Sequence, residues 1–326
     1  MELFVQILLL ITGIALLLKG ADWLVDGSVA LARRLGVSSL VIGLTVVAMG
    51  TSAPEVAASV RAAMKGFPDI AVGNVYGSNI ANLALVAGLC GLIRPIRVTG
   101  AVLIRDIPIM LVSALLLFPI LFDLNLSRPE SLLLLVVFTV SIIWMILSEK
   151  RGKSIAIPEK PQTPFVHPSH TASPLPANLL RILAGLVALT LGARFAVGSS
   201  CFIGERLGIS QAVIGLTVVA VGTSLPELLT CLVASFKGHD DLSIGNLVGS
   251  NIFNTLLVLG AAGMTKPLAV SASFIRQDYA FMLITTAVFA FFALVSGKIT
   301  RPAAFVLLAV YIVYITFLFS CRSSLV

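Results

Sequence analysis

The chain contains two copies of one long segment, and this duplication restricts the possible fold more than any other sequence feature. Residues 41–55 return as residues 213–227, and both copies end in the sequence Gly-Thr-Ser-x-Pro-Glu. Residues 73–82 return at the same offset of 172 as residues 245–254, and both copies read Gly-Asn-x-x-Gly-Ser-Asn-Ile-x-Asn. A repeat with one constant offset at this scale indicates a duplicated half-protein and not a solenoid of short units.

Composition places both copies in a membrane. Hydrophobic residues make up 58% of the 326 residues, charged residues only 11%, and the mean hydropathy is +1.06. Because a soluble globule needs more polar surface, we predict an all-α polytopic membrane protein. The apolar runs are continuous and do not alternate as strands would, so they predict ten transmembrane helices, over residues 3–32, 37–64, 70–93, 100–121, 130–148, 178–204, 209–236, 242–264, 274–296 and 302–320.

Five helices per copy is an odd number, so the second half must enter the membrane in the opposite sense to the first. We therefore predict two inverted five-helix repeats, the architecture of alternating-access transporters with a site between the halves. Residues 1–148 form the first predicted half and residues 178–326 the second. Residues 149–177 contain six prolines and predict an extended linker that is too short for a folded regulatory domain.

Basic residues determine the predicted orientation. The net charge is +7, but Lys and Arg are scattered over short loops and form no stripe, so we expect no nucleic-acid partner. With the N-terminus outside, the inner loops carry twelve basic residues against six in the outer loops and ends. This excess predicts that both termini are outside and that the central linker is cytoplasmic. The expected surroundings are the lipid bilayer, and no protein partner is inferred.

The repeated Gly-Thr-Ser-x-Pro-Glu block predicts a break in a transmembrane helix beside a carboxylate. Thr51 and Ser52 lie four and three residues before Glu55, so the three side chains share one helix face. Pro54 has no N–H and its ring clashes with the Gly50 carbonyl, which loses its usual partner. Such a break is tolerated in lipid only where it is buried or lines a wet cavity. The second copy supplies Gly222, Thr223, Ser224 and Glu227.

A polar stripe on the next helix of each copy provides further oxygen atoms. The stripe consists of Asn74, Ser78 and Asn82, which are spaced four residues apart on an otherwise apolar helix. Beside them lie glycines that allow close helix approach. These side chains either hold helices together or bring oxygens to an ion site, and their recurrence beside the repeated glutamate favours the second interpretation. Their counterparts in the second copy are Asn246, Ser250 and Asn254.

All of these groups are hard oxygen ligands, which favours calcium or sodium. No cluster of Cys or His provides the nitrogen or sulfur ligands that zinc, copper and nickel prefer. Calcium accepts about six or more oxygens in flexible geometry, whereas magnesium loses its water reluctantly. Two carboxylates balance one Ca²⁺ or two Na⁺, and an empty dianionic site is costly to carry past the barrier. We therefore expect obligatory ion exchange, with no catalytic group and no cofactor.

The two blocks resemble the paired α-repeats of the calcium/cation antiporter superfamily, in its sodium/calcium exchanger branch of prokaryotic type. The resemblance covers the whole chain and implies ten helices in two inverted halves, of which the long first and sixth slide against the core. It implies that Glu55 and Glu227 are the calcium carboxylates. The other ligands that it implies are the hydroxyls of Thr51, Ser52, Thr223 and Ser224, the carbonyls of Ala48 and Ala220, and the side chains of Ser78, Asn82, Ser250 and Asn254.

From this resemblance we expect an antiporter, and not an enzyme, that exchanges Ca²⁺ for Na⁺. A prokaryotic plasma membrane is the expected location, because the large cytoplasmic insertion of animal exchangers is missing. Asn254 stands where potassium-dependent relatives have aspartate, which argues against potassium co-transport. Two alternatives stay open. One is a proton-coupled calcium antiporter on the same fold, although the Gly-Asn-x-x-Glu-His block usual in that group is absent. The other is a non-transporting membrane scaffold.

Overall fold

The computed structural model of the chain describes residues 2–152, 174–208, 220–272 and 277–322. Helices fill most of these ranges. Those of the first half are α1 (Glu2–Leu35), α2 (Ser39–Thr51), α3 (Ala53–Met64), α4 (Pro68–Ile93), α5 (Val102–Ile120) and α6 (Arg128–Gly152). Those of the second half are α7 (Leu175–Arg206), α8 (Ala220–Thr223), α9 (Leu225–Phe236), α10 (Asp240–Thr265), α11 (Tyr279–Ser296) and α12 (Arg301–Arg322).

The described helices make the chain a polytopic membrane protein, as predicted. Eight of them are long and apolar enough to cross a membrane, and the pair of α2 and α3, bent by 44°, counts as a ninth span. Helix α9 has 12 residues, and residues 209–219, which complete the seventh predicted window, lie outside the described ranges. The total of ten spans therefore stays a prediction.

The ends of the predicted linker are helical. Helix α6 continues to Gly152 and α7 begins at Leu175, so these two helices are longer than the apolar windows 130–148 and 178–204. The charged residues after position 148 are good helix formers, and a proline is compatible with the first turn of α7. The charged residues therefore lengthen α6 and the proline permits an earlier start of α7, although neither belongs to an apolar window. Residues 153–173, which include most of the linker prolines, lie outside the described residues.

Helices α1 and α7 pack against each other backbone to backbone. Successive glycines of α1 meet earlier and earlier residues of α7, so the two helices run antiparallel. A Cβ added at Gly13 would lie 2.9 Å from the Gly192 carbonyl oxygen, and one added at Gly20 would lie 2.9 Å from the carbonyl oxygen of Gly185. Contacts this close leave no room for side chains between the two helices. Helices α1 and α7 therefore form one tightly packed pair.

Helices α4 and α10 form the interior of the molecule. Of the residues in the 18-residue apolar window of each helix, 72% are buried in α4 and 83% in α10, whereas only 17% are buried in α1. The glycines predicted to permit close approach do so in α10. A Cβ at Gly245 would lie 2.8 Å from the Leu40 carbonyl oxygen, and one at Gly249 would lie 2.8 Å from that of Leu44. This contact seats α10 directly on α2, which carries the first helix break.

Two short β-ribbons tie the halves together. Strand β1 (Ile96–Arg97) pairs with β4 (Lys298–Ile299), and β2 (Asn125–Leu126) pairs with β3 (Leu268–Ala269), both antiparallel. Each ribbon takes one strand from each half. Because hydrogen-bonded strands lie at the same membrane surface, the two ribbons restrict how the loops are distributed between the surfaces.

Candidate ion-binding site

Two matching helix breaks position the repeated glutamates. Ser52 separates α2 from α3 with φ −86° and ψ 2°, and Ser224 separates α8 from α9 with φ −91° and ψ 6°. In each copy a proline and then a glutamate, Glu55 or Glu227, occupy the first turn after the break. Proline suits a first turn, where its missing N–H has no helical partner in any case. The positive end of the helix dipole also favours a carboxylate there.

Both carboxylates are buried, and a serine hydroxyl links the two copies. Glu55 is 2% exposed and Glu227 is 0% exposed. The Ser52 hydroxyl donates to Glu227 Oε1 over 3.4 Å, so the break of the first copy contacts the carboxylate of the second. The Oε2 atoms of both glutamates have no hydrogen-bond partner among the described residues. A buried ionised carboxylate needs a compensating charge, so this arrangement suits a cation.

The other hydroxyls of the two breaks lie beside these carboxylates in sequence and are also largely buried. Thr51 is 1% exposed, and its Oγ1 lies 3.2 Å from Asn246 Oδ1 and 3.4 Å from the Ala48 carbonyl oxygen. Ser224 is 1% exposed, and its Oγ has no partner in the described part of the chain. Thr223 is half-buried at the end of α8, which begins at Ala220. For Ala220, the structure describes the helical backbone alone.

The predicted ligands on α4 and α10 are buried as well. Exposure does not exceed 4% for Ser78, Asn82, Ser250 or Asn254. Neither side-chain polar atom of Asn82 or of Asn254 has a hydrogen-bond partner within the described ranges, and neither does Ser250 Oγ. No hydrogen bond joins these four residues to the glutamates within those ranges. Buried polar groups are costly unless they are satisfied, so these oxygens are available to a ligand.

A widened π-helical turn contains each of the two asparagines. The turn covers Ala81–Val86 in α4 and Phe253–Val258 in α10, again at the offset of 172. Such turns are rare within helices and occur frequently at functional sites, because they leave the regular hydrogen-bond ladder. Nothing in the local sequence predicts them. Their recurrence in both copies marks Asn82 and Asn254 as parts of one symmetric arrangement.

Two further asparagines brace the site. Asn74 Nδ2 donates to Ser59 Oγ over 2.9 Å and to the Glu55 carbonyl over 3.2 Å. In the second copy Asn246 Nδ2 donates to Cys231 Sγ over 3.3 Å. The polar stripe in the sequence pointed to both asparagines, but not to their partners on the glutamate helices. Asn246 uses its amide for the brace, and its Oδ1 stands as an acceptor next to the Thr51 hydroxyl.

A cavity of ≈ 350 Å³ opens beside the two breaks. It reaches Pro54 and Pro226, which belong to the repeated motifs, and Thr223, which is one of the predicted ligands. Its other wall is one face of α7, made by Thr190, Ala193, Arg194, Val197 and Gly198. The cavity therefore lies between the two helix breaks and α7.

Comparison with known proteins agrees with this geometry. The sequence model of the family described as sodium/calcium exchanger protein matches residues 5–147 and 177–320. The sodium/calcium exchanger MaX1 of Methanosarcina acetivorans is 32% identical over an alignment of 345 positions, which covers 97% of this chain and 99% of that protein. The inner membrane protein YrbG of Escherichia coli is 35% identical over 287 residues, which cover 86% of each protein.

A solved structure shares the fold. The structure of the sodium-calcium exchanger NCX_Mj superimposes with a TM-score of 0.82 at 30% sequence identity. The superposition covers 97% of this chain and 99% of that one. At this similarity the two chains share the same arrangement of helices over nearly their full length.

Proposed function

The chain belongs to the sodium/calcium exchanger family, and from that premise we propose that it is a secondary active antiporter exchanging Ca²⁺ for Na⁺ by alternating access. The main observation in support of the proposal is a hydrogen bond between the two copies. The Ser52 hydroxyl contacts the buried Glu227 carboxylate, and the equally buried Glu55 occupies the same position after its own break. Two acids in equivalent positions on the two halves form a site that belongs to both.

The proposed ligand set contains oxygens from both copies. The carboxylates of Glu55 and Glu227 neutralise the cation, and hydroxyls, amide oxygens and backbone carbonyls complete its shell. Calcium takes about six to eight oxygen ligands in flexible geometry, which this set can supply. The proposed neutral ligands are Thr51, Ser52, Ser78, Asn82, Thr223, Ser224, Ser250 and Asn254, with the carbonyls of Ala48 and Ala220.

The charge of this site explains why transport takes the form of exchange. Two ionised carboxylates carry a charge that one Ca²⁺ or two Na⁺ ions balance. Without cations, the dianionic site faces a large desolvation penalty when it becomes occluded in the protein interior. A loaded site avoids most of this penalty, so the transition between access states takes place with ions bound. Inward sodium movement can then drive calcium export.

We also propose ten transmembrane helices in two inverted five-helix halves, residues 1–148 and 178–326, joined by a cytoplasmic linker at 149–177. The ribbons support this arrangement. Six proposed spans separate β1 from β4 and four separate β2 from β3, both even numbers, as paired strands at one surface require. The equivalent strands β1 and β3 are five spans apart and lie on opposite surfaces. Both termini would be outside, in a prokaryotic plasma membrane.

Flux measurements on purified protein in liposomes test the coupling. We expect calcium uptake to follow an imposed sodium gradient and to be unaffected by a pH gradient imposed without sodium. Uptake that follows the pH gradient alone would instead support a proton-coupled calcium antiporter on the same fold. Absence of uptake under both gradients, from protein that is folded and correctly inserted, would leave only the non-transporting scaffold.

A further inference from the structure

The cavity beside the site lies against α7, in the second half of the described chain. Its wall on α7 consists of residues on one helix face, among them Ala193, Arg194 and Val197. The offset of 172 maps these three residues onto Ala21, Asp22 and Val25 of α1. Within α1 this face is closed, since Ala21 and Val25 are both 0% exposed.

An ion-paired lysine binds Asp22, which belongs to this face of α1. Lys237 Nζ lies 2.5 Å from Asp22 Oδ1 and 2.6 Å from Asp26 Oδ1. The two acids are four residues apart, one turn along α1, so a single ammonium group reaches both. Lys19 Nζ lies 3.4 Å from the other oxygen of Asp22. The ion pairs therefore join adjacent turns of α1 to the one residue that follows α9.

Because of its position in the chain, Lys237 links a helix of the site to α1. Lys237 immediately follows α9, the helix that begins with the site carboxylate Glu227. The ion pairs thus connect a helix of the site to α1, whose glycines pack directly against the backbone of α7. Movement of the α1 and α7 pair relative to the site helices must break these ion pairs.

No equivalent contact is possible in the other half. Lys65 follows α3 as Lys237 follows α9, at the offset of 172. The α7 residues in the places of Asp22 and Asp26 are Arg194 and Gly198, and neither offers a carboxylate. Among the described residues, Lys65 has no ion pair. Ala21 and Val25 are buried beside the ion pairs, whereas the cavity lies against α7, which has no such pairs.

We propose that Asp22, Asp26 and Lys237 form an ionic latch that holds a second access path to the ion site closed. The path follows the face of α1 that corresponds to the open cavity, and Val25 lines it as Val197 lines the present cavity. This inference rests on the proposed function, because it requires inverted halves that open alternately. The side chains are 30%, 34% and 49% exposed for Lys237, Asp22 and Asp26. Partly exposed ion pairs are weak enough to break reversibly.

Thiol accessibility tests the latch. The four native cysteines are replaced by serine, and a cysteine is placed at Val25 or, in a separate protein, at Val197. An impermeant thiol reagent is applied to intact cells and to inverted membrane vesicles, so that each membrane face is probed separately. We expect Val197→Cys to react from one face and Val25→Cys to react slowly from the opposite face. Lys237→Gln should accelerate labelling of Val25→Cys about fivefold, a change within the range of ion pairs of this kind.

Matched variants separate the latch from a general loss of packing. Lys65→Gln removes the equivalent lysine of the other half and should leave both labelling rates unchanged. Asp26→Lys should accelerate labelling of Val25→Cys, and combining it with Lys237→Glu should slow the labelling again, because the reversed charges restore a pair. If Lys237→Gln and Asp26→Asn both leave that rate unchanged, the latch does not exist.

Failure of the latch and failure of the proposed ion coupling give different experimental results. Labelling rates report the opening of the path, whereas calcium flux in liposomes reports the proposed exchange. An altered labelling rate in a protein that does not transport calcium would retain the latch and reject the exchange function. Normal sodium-driven exchange with no effect of Lys237→Gln on labelling would reject the latch alone.

Discussion

The two halves of the molecule agree at the proposed ion site and differ around it. The helix breaks at Ser52 and Ser224 have nearly the same backbone angles, and the π-helical turns around Asn82 and Asn254 lie at one common offset. On the helices that pack against the site the halves differ in charge, since Asp22 of α1 corresponds to Arg194 of α7. Binding and gating are therefore under different physical constraints in a duplicated transporter.

A shared cation site gains from symmetry, because each half provides the same ligands from opposite directions in either access state. Gating requires the opposite. If the halves closed their paths with identical contacts, the two access states would have equal energies apart from the membrane potential. Under the proposed latch, the ion pairs of Lys237 give the two states different stabilities, and ligands then shift the populations between them.

The largest effect is expected from the acids of the site. Glu55→Gln or Glu227→Gln should each reduce calcium exchange by about 100-fold or more, since one remaining carboxylate cannot neutralise a dehydrated divalent ion. Calcium flux into liposomes at matched protein density measures the loss. Similar losses in both variants would support a site with equal contributions from the halves. Exchange near the parental rate in either variant contradicts the two-carboxylate site.

The ribbons allow the proposed inversion to be tested directly. A cysteine at Lys298, in β4, should be protected from an impermeant thiol reagent outside intact cells, because this ribbon is proposed to be cytoplasmic. A cysteine at Asn125, in β2, should react under the same conditions. Both positions are exposed, and the native cysteines are replaced by serine beforehand. Reaction of both positions from one face would refute the proposed distribution of the ribbons.

A smaller loss is expected from the asparagine braces. Asn246→Ala removes the donor to Cys231 and the acceptor beside Thr51, and should weaken calcium binding about tenfold, since unsatisfied buried groups cost about 1–3 kcal/mol. Asn74→Ala tests the same brace in the first half. The KM for calcium in the flux assay measures both. Cys231→Ser, which supplies the hydroxyl that Ser59 provides in the other half, is the conservative control and should retain affinity. An unchanged KM in Asn246→Ala would show that the brace does not position the site.

The smallest effect concerns the amides at the π-helical turns. The parent should exchange calcium equally well with and without potassium, because Asn254 adds no third negative charge. Asn254→Asp adds one and should make exchange slower or responsive to potassium. Asn82→Asp makes the same change in the first half and shows whether the two positions are equivalent. Flux with potassium present or absent on both sides decides the matter, and a strict potassium requirement in the parent would contradict this interpretation of Asn254.

Much of the fold and of the candidate site follows from local sequence. Apolar windows identify the spans, since a helix must satisfy its own backbone in lipid. Pro54 and Pro226 locate the two breaks, since a proline cannot continue the hydrogen-bond ladder. The recurrence of Glu55 as Glu227 at the offset of 172 then indicates a shared site before any contact is known. Each of these inferences uses residues that are close in the chain or repeated within it.

Only the tertiary structure decided which distant residues meet and which path is closed. The contact of Ser52 with Glu227 and that of Lys237 with Asp26 join residues 175 and 211 positions apart. The amide register of a π-helical turn depends on how neighbouring helices pack, so the turns at Asn82 and Asn254 leave no local signature. Sequence determines which groups a segment can present, because propensity and polarity act along the chain. Packing between segments determines which of those groups become partners, since it alone sets their separation in space.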